Sequence, residues 1–180
     1  MANVSALSPQ LNREDSTCVC VIETPKNSRR KYKFDEASGL FKLAYVLPEG
    51  MNFPFDFGFV PSTRADDGDP LDVMVIADEP GCVGTLTDIR LVGVIHAQQS
   101  EDGKATENDR LLAIPVHAHS HQKIRNIKEL DQSILDQIES FFLSYTKVQG
   151  KKFKIKGCSG PREAVKLVRH AMQAFKKEAE

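Results

Sequence analysis

Four aspartates stand within seven residues in the segment ADDGDPLDV, which spans positions 65–73. The plain interpretation is an acidic turn between two strands, because glycine and proline are common turn residues. Asp72 argues for more than a turn, since it lies inside the predicted strand LDVMVIA. Carboxylates a few ångströms apart repel one another strongly. Asp67, Asp69 and Asp72 can therefore converge only where positive charge neutralises them.

A hard divalent cation would supply that positive charge. Carboxylate oxygens together with water select Mg²⁺, Mn²⁺ or Ca²⁺ over Zn²⁺. The calcium loop of EF-hand proteins is excluded, because counting from Asp67 places Leu71 at a ligand position and Asp72 where glycine is required. The aspartates thus predict a hard-cation site without choosing among the three metals.

Short β-type segments separated by turns predict the elements that position these aspartates. The predicted strands are CVCVIET, RKYKFD, LFKLAYVL, LDVMVIA, IRLVGVIHA and RLLAIPV, followed later by KKFKIKG. Apolar residues at helical spacing predict one helix from near Asp131 to before Gly150. A second helix is predicted after Ser159 or Gly160, with Pro161 in its first turn. The predicted fold class is α+β, mainly β.

The composition of the 180 residues predicts a single domain spanning 1–180, in which 1–15 form a loosely ordered N-terminal segment. The net charge of −1 gives no overall attraction to nucleic acid or to an anionic membrane, so neither is expected as a partner. The N-terminal segment lacks the pattern of a signal peptide, and we expect a cytoplasmic protein. Its cysteines are then reduced, and Cys18 and Cys20 are expected to pack in the core rather than to bind metal.

The motif DGDPLDV, preceded by FPFDFGFVPSTRAD, resembles the signature of the family I soluble inorganic pyrophosphatases. Further segments, VIETP, RKYKFDEASGLFK, RLVGVI, RLLAIP and IESFFLSY, follow in the family's order and spacing over residues 18–176. The resemblance implies a five-stranded OB-like barrel flanked by two helices. It also implies Mg²⁺-dependent hydrolysis of pyrophosphate to two phosphates by a metal-activated water, with Mn²⁺ as a substitute metal. Short-chain members form hexamers, so a homo-oligomer is expected.

The resemblance assigns roles to residues at matching positions. Asp67 and Asp72 match metal ligands, and Asp69 matches the general base. Lys31 matches a lysine that binds substrate phosphate, and Tyr145 matches a phosphate-binding tyrosine. Glu23 matches an active-site glutamate. This division agrees with chemistry, because metal ions lower the pKa of a shared water while a nearby carboxylate accepts its proton.

The chain departs from the family in the predicted substrate clamp. Lys33 stands where the family has a metal-binding glutamate, and Tyr45 where it has a substrate-binding arginine. Phe53 and Phe57 replace two tyrosines, which removes two hydroxyl groups. Because Lys31 and Lys33 are two residues apart on a predicted strand, both should face the substrate. Lys33 is therefore predicted to bind phosphate in place of the missing arginine and metal.

Further departures lie near the strand RLLAIP and after the first helix. Asn108 falls at an expected metal aspartate and Arg110 at an expected lysine, which makes Arg110 a predicted substrate ligand. Another metal aspartate falls in an insertion, where Asp102 is the best candidate. Asp109 would replace Asn108 only if the loop shifts register. Lys147 lies one position beyond the family's lysine and is also a candidate substrate ligand. With fewer carboxylates, two or three Mg²⁺ ions are expected.

The segment HAHSH places three histidines two residues apart, at positions 117, 119 and 121. On a strand they would share one face and suit zinc. The family has no metal there, and a polar loop is predicted instead.

Two functions remain open from the sequence. The first is a Mg²⁺-dependent inorganic diphosphatase, which the retention of Asp67, Asp69 and Asp72 favours. The second is a divergent homologue that acts on another phosphoanhydride or binds phosphate without catalysis, which the altered clamp favours. In both, the partner is a small phosphate compound.

Overall fold

The computed structural model describes residues 4–101 and 103–178. Its nine strands are β1 (Thr17–Thr24), β2 (Arg30–Asp35), β3 (Leu40–Val46), β4 (Asp56–Val60), β5 (Leu71–Val75), β6 (Leu86–Glu101), β7 (Lys104–Glu107), β8 (Arg110–Pro115) and β9 (Lys152–Ser159). Its two α-helices are α1 (Gln132–Val148) and α2 (Pro161–Glu178), and two short 3-10 helices span Val4–Ala6 and Ile127–Glu129.

Five strands form a closed ring in the order β1, β4, β5, β8 and β6. Strand β1 pairs antiparallel with both β4 and β6, and these two pairings close the ring. Strands β5 and β8 pair parallel. Outside the ring, β7 and β9 pair with β6, and β2 and β3 form a separate hairpin. The predicted class, α+β and mainly β with an OB-like barrel, is confirmed as this five-strand ring.

Both predicted helices are confirmed, and each covers its own part of the core. The α1 helix begins after Asp131, whose carboxylate accepts a hydrogen bond from the Ser133 N–H at 2.8 Å. Its apolar side packs into a cluster rich in phenylalanine, which includes Phe53, Phe57 and Phe142. The α2 helix buries residues 164, 165, 168 and 171 against a second cluster. That second cluster also contains Cys18 and Cys20, so the core packing expected for them is confirmed.

Two strands were absent from the sequence predictions. Strand β4 is buried at all five positions, but Asp56 and Gly58, residue types that are uncommon in strands, interrupt its apolar residues. Strand β7 is exposed at all four positions, and β6 continues to Glu101 beside it. The expected turn SEDGKATEND is therefore a β-hairpin in its described part, which its polar residues did not indicate.

The predicted loosely ordered segment 1–15 includes residues 1–3, which lie outside the described residues. The described part of this segment forms hydrogen bonds with β1 and with the turn that follows β4. The Ser62 N–H donates to the Ser5 carbonyl at 2.7 Å, and the Val19 N–H donates to the Pro9 carbonyl at 2.9 Å. These hydrogen bonds hold the segment along β1 and the end of β4.

Candidate active site

The acidic motif forms a tight turn between β4 and β5. The Ala65 N–H donates to the Asp69 carbonyl at 2.8 Å, and the Gly68 N–H donates to the Ala65 carbonyl at 3.0 Å. Gly68 has a φ of 86°, a left-handed conformation that costs glycine little. At the end of the turn, the Thr63 hydroxyl accepts the Leu71 N–H at 2.9 Å. The backbone thus fixes where the aspartate side chains project.

Asp69 pairs with Lys33 of the β2–β3 hairpin. The Lys33 Nζ lies 3.1 Å from the Asp69 Oδ2, and both side chains are more than half exposed. Burial alone would lower the pKa of Lys33, but the hydrogen bond and charge of Asp69 raise it above its usual value. On the other side of Asp69, its N–H donates to the Asp67 carboxylate at 3.1 Å. The predicted base therefore lies between a lysine and the predicted metal ligand.

Asp72 pairs with Arg110 across the parallel strands β5 and β8. The Arg110 Nη1 donates to the Asp72 Oδ2. Burial alone would raise the pKa of Asp72, but the charges of Arg110 and Lys31 lower it below its usual value. The Arg110 guanidinium lies 5.1 Å from the ring centroid of Phe142, and its Nε is buried without a hydrogen-bond partner among the described residues. Arg110 thus has hydrogen-bonding capacity that the protein leaves unused.

Lys31 lies deeper than Lys33 and next to Glu23. The Lys31 Nζ is 3.8 Å from the Glu23 Oε2, and the other Glu23 oxygen accepts the Phe34 N–H at 2.7 Å. Lys31 also lies over the rings of Phe53 and Phe57, 5.9 and 5.8 Å from their centroids. Burial lowers the pKa of Lys31, although Glu23 opposes this effect, and burial raises the pKa of Glu23. The two phenylalanines form an apolar floor without hydroxyl groups.

Tyr145 of α1 meets Tyr45 of β3 at the hairpin. The two hydroxyl groups are hydrogen-bonded, and the Gln149 side chain donates to the Tyr45 hydroxyl at 2.7 Å. Burial raises the pKa of Tyr145, while the Gln149 hydrogen bond and the charge of Lys33 act in the opposite direction. Tyr45 therefore contributes a neutral polar group where the resemblance predicts an arginine.

Two cavities flank the aspartates. One of about 320 Å³ is lined by Glu23, Lys33, Asp69, Asp72 and Arg64, among others. A smaller one of about 120 Å³ is lined by Asp67, Asp72, Asn108 and Asp109, among others. Arg64 lines both cavities, and sequence reasoning did not single it out. Its position directly before the acidic motif was the available signal.

Several predicted site residues have no described contact with Asp69 or Asp72, although Asn108 and Asp109 line the smaller cavity. Asp102 falls outside the described residues. Lys147 is exposed in the last turn of α1, about 200° around the helix axis from Tyr145, and no described contact joins it to either aspartate. The Asn108 amide donates to the Gln99 side chain at 3.1 Å. Asp109 accepts a hydrogen bond from the Ala97 N–H and lies 2.6 Å from His96, so His96 holds it.

The histidine segment lies after β8 as a turn rather than a strand. The N–H groups of His119 and Ser120 donate to the Asp78 carboxylate at 2.6 and 3.1 Å. This geometry agrees with the predicted polar loop.

The donor chemistry of the turn suits a hard divalent cation, because Asp67 and Asp72 offer carboxylate oxygens beside a polar cavity. Among the described residues, however, no three acidic, histidine or cysteine side chains converge as a ready-made metal site. Lys33 and Arg110 instead neutralise Asp69 and Asp72. Asp67 is exposed and forms no described ion pair, so it is the aspartate most available to a metal ion.

A family model described as "Inorganic pyrophosphatase" matches residues 20–176. The chain belongs to the inorganic pyrophosphatase family. A curated family member from Geobacillus stearothermophilus is 34% identical over 92% of this chain and 98% of its own length. Another, from Helicobacter pylori, is 36% identical over 89% of this chain and 92% of its own length.

Solved pyrophosphatase structures share the fold over nearly the whole chain. The Thermus thermophilus inorganic pyrophosphatase superposes with a TM-score of 0.87 at 29% identity, covering 97% of this chain and 99% of that one. The Helicobacter pylori enzyme superposes with a TM-score of 0.83 at 32% identity, covering 93% and 98%. In the described part of the chain, no helix is long and apolar enough to cross a membrane.

Proposed function

We propose that the protein hydrolyses inorganic pyrophosphate to two phosphates in a reaction that requires Mg²⁺, with Mn²⁺ able to replace it. One observation carries the proposal. Three cationic side chains, Lys31, Lys33 and Arg110, lie near Asp72, and Lys33 also pairs with Asp69. The relatives that match the chain over most of its length are named inorganic pyrophosphatases, which supports the same reaction.

In this proposal the cations bind the phosphate groups. Lys31 lies on an apolar floor where its charge is poorly hydrated, which strengthens its attraction to an anion. Arg110 offers its unpartnered Nε to a phosphate oxygen. Lys33, now paired with Asp69, turns to the substrate when it binds. Tyr145 donates a hydrogen bond from its hydroxyl to a phosphate oxygen, since burial raises the pKa of that hydroxyl and keeps it protonated.

Asp69 is proposed to accept the proton of the attacking water. The water oxygen forms a bond to one phosphorus, the bridging P–O bond breaks, and the leaving phosphate departs with the bonding electron pair. Asp67 and Asp72, with Asp102 by resemblance, would hold the metal. When bound, Mg²⁺ supplies Lewis-acid activation of the water and neutralisation of phosphate charge. Glu23 orients Lys31 through their contact at 3.8 Å.

The test compares phosphate release from pyrophosphate, ATP, polyphosphate and sugar diphosphates, each with Mg²⁺ and with EDTA. We expect turnover of pyrophosphate in Mg²⁺ alone. Turnover of another substrate with pyrophosphate untouched would support the divergent homologue instead. Absence of turnover with every substrate, together with measurable phosphate binding, would support a non-catalytic role.

The assembly and setting of the protein are proposed on resemblance and charge. We infer a homo-oligomer, a hexamer by resemblance, that works in the cytoplasm on a small phosphate compound. The net charge of −1 supports this partner over nucleic acid.

Lys33→Ala is expected to raise the KM for pyrophosphate about 3- to 10-fold, with a smaller change in kcat. The reason is that the variant lacks one half-exposed positive charge that binds the substrate. Steady-state kinetics at saturating Mg²⁺ measures the effect. Lys42→Ala is the matched control, since Lys42 lies on the same hairpin but pairs with Asp35 at 2.7 Å. If both variants keep the original KM and kcat, Lys33 is only a solvated lysine.

Lys31 is expected to limit activity at alkaline pH. Its lowered pKa means that it keeps its charge at low pH and loses it, as pH rises, earlier than an ordinary lysine. The profile of kcat/KM against pH should therefore fall on its alkaline side, and Lys31→Arg should move that fall to higher pH because arginine stays charged. Lys42→Arg should leave the profile in place. An unmoved alkaline fall in Lys31→Arg would assign it to another group.

A further inference from the structure

A cavity of about 650 Å³ lies apart from the aspartate cluster. One wall comes from the segment 10–19 and another from the first half of β6. Val116 after β8, Arg125 in the loop that follows and Pro161 at the start of α2 complete the lining. None of its lining residues lines either cavity beside the aspartates. Its volume is typical of sites for small molecules.

Two arginines converge at this cavity. Arg90 is 9% exposed, and its Nη1 donates to the carbonyl oxygens of Gln122 and Ile124 at 3.1 and 3.4 Å. The Nη1 of Arg125 donates to the same two carbonyl oxygens at 2.5 and 3.2 Å. Two positively charged groups are thus held together by one pair of acceptors.

No carboxylate forms a direct ion pair with either arginine within the part of the chain that the structure describes. Neither guanidinium has a carboxylate oxygen within 4.0 Å there, and the Nε and Nη2 of Arg90 make no described hydrogen bond. Burial and the charge of Arg125 lower the pKa of Arg90, with Asp15 opposing them. Arg125 is exposed and Arg90 is buried, and two like charges held this close favour an anion between them.

Carboxylates line the same cavity at a greater distance from the arginines. Glu14, Asp15 and Asp88 belong to its wall, and the Asp15 carboxylate is held by the Asn12 side chain at 2.9 Å. These three charges repel a polyanion such as pyrophosphate. They attract an ammonium group or accept hydrogen bonds from hydroxyl groups.

We propose that this cavity binds a small molecule with one oxyanion group, held by Arg90 and Arg125, and an ammonium or hydroxyl end that faces Glu14, Asp15 and Asp88. A phosphate monoester and a carboxylate share this chemistry, because each presents two oxygens that can accept bidentate hydrogen bonds from one guanidinium. The site does not depend on pyrophosphate hydrolysis.

Calorimetric titration of the full chain in EDTA tests the site, because EDTA removes the divalent cations on which the proposed reaction depends. The probes are O-phosphoethanolamine for the phosphate class, β-alanine for the carboxylate class, and pyrophosphate as the polyanion. We expect saturable binding of O-phosphoethanolamine, β-alanine or both, and we expect Arg125→Gln to leave the affinity for pyrophosphate, whose proposed site is the aspartate cluster, unchanged. Whichever of O-phosphoethanolamine and β-alanine binds more tightly shows whether the site prefers a phosphate monoester or a carboxylate.

Arg125→Gln should weaken the binding of that probe about tenfold or more, the loss expected for one charge-assisted contact. Arg169→Gln is the control, since Arg169 is exposed on α2 and does not line the cavity. Arg90→Lys provides a second variant that keeps the charge but loses the paired donors, and it too should weaken binding. Failure of both small probes to bind, weaker binding of pyrophosphate in Arg125→Gln, or unchanged affinity for the small probe in both cavity variants would overturn the proposal. Pyrophosphatase activity in Mg²⁺ is measured separately, so its loss would bear only on the aspartate cluster.

Discussion

Asp69→Asn lowers kcat for pyrophosphate by about 10²- to 10⁴-fold, the range expected when a general base is removed. Asparagine keeps the size of the side chain but cannot accept the proton of the attacking water. Metal affinity should change little, because Asp67 and Asp72 are the proposed metal ligands. Phosphate release at saturating substrate and Mg²⁺ measures kcat, and calorimetric titration with Mg²⁺ measures metal affinity.

Asp66→Asn is the matched control for this variant. Asp66 belongs to the same turn and is exposed like Asp69, so it changes the net charge equally without touching the proposed base. Its kcat should stay within about twofold of the original, as expected for a surface charge outside the reaction. Equal losses in the two variants would mean that the turn acts through its overall charge, and Asp69 would not be the base.

Arg110→Met lowers kcat/KM by about 10²- to 10³-fold, comparable to the loss of one donor to developing negative charge. Methionine retains apolar packing on Phe142 but removes both the unpartnered Nε and the partner of Asp72. Asp72 then loses the positive charge that lowers its pKa, so the variant should also become more sensitive to acid than the original protein. Steady-state kinetics across a pH series measures both effects.

Arg110→Lys separates charge from geometry at this position. Lysine keeps the positive charge beside Asp72 but offers a point charge in place of a planar fork. Compared with Arg110→Met, the lysine variant should recover the original activity at acid pH relative to neutral pH, but only part of the original kcat/KM. Arg162→Met, at an exposed position on α2, controls for the loss of an arginine. Full activity in Arg110→Met would remove Arg110 from the substrate site.

The acidic motif and both helices were predictable because their signals are local. Asp72 inside a strand, Asp131 as an N-cap and Pro161 in a first turn each follow from a few neighbouring residues. Strand β4 escaped prediction because Asp56 and Gly58, residue types that are uncommon in strands, interrupt its apolar residues, and β7 escaped because it is exposed throughout. Strand β7 does not carry the alternation that identifies a half-buried strand from sequence alone.

The contacts of the site residues could not be predicted from the sequence, because these contacts depend on how the strands pair. Lys33 meets Asp69 only because the hairpin lies against the turn, and Arg110 meets Asp72 only because β5 and β8 run parallel. The sequence offers Asp109 as an alternative metal ligand, yet a neighbouring strand places His96 Nδ1 2.6 Å from its carboxylate. Such contacts join residues far apart in the chain, and spacing rules do not reach them.

The β2–β3 hairpin carries Lys31, Lys33 and Tyr45 but pairs with no strand of the ring. Seven of its thirteen strand residues are exposed and none is buried, so it should open locally at a lower free energy than the ring. Every substrate cation proposed here except Arg110 would then leave with it. The measured dissociation constant for pyrophosphate would equal that of the closed form divided by the fraction of molecules that is closed, so opening weakens binding. A residue that holds the hairpin in place, such as Gln149 through its hydrogen bond to Tyr45, would thereby tune affinity without touching phosphate.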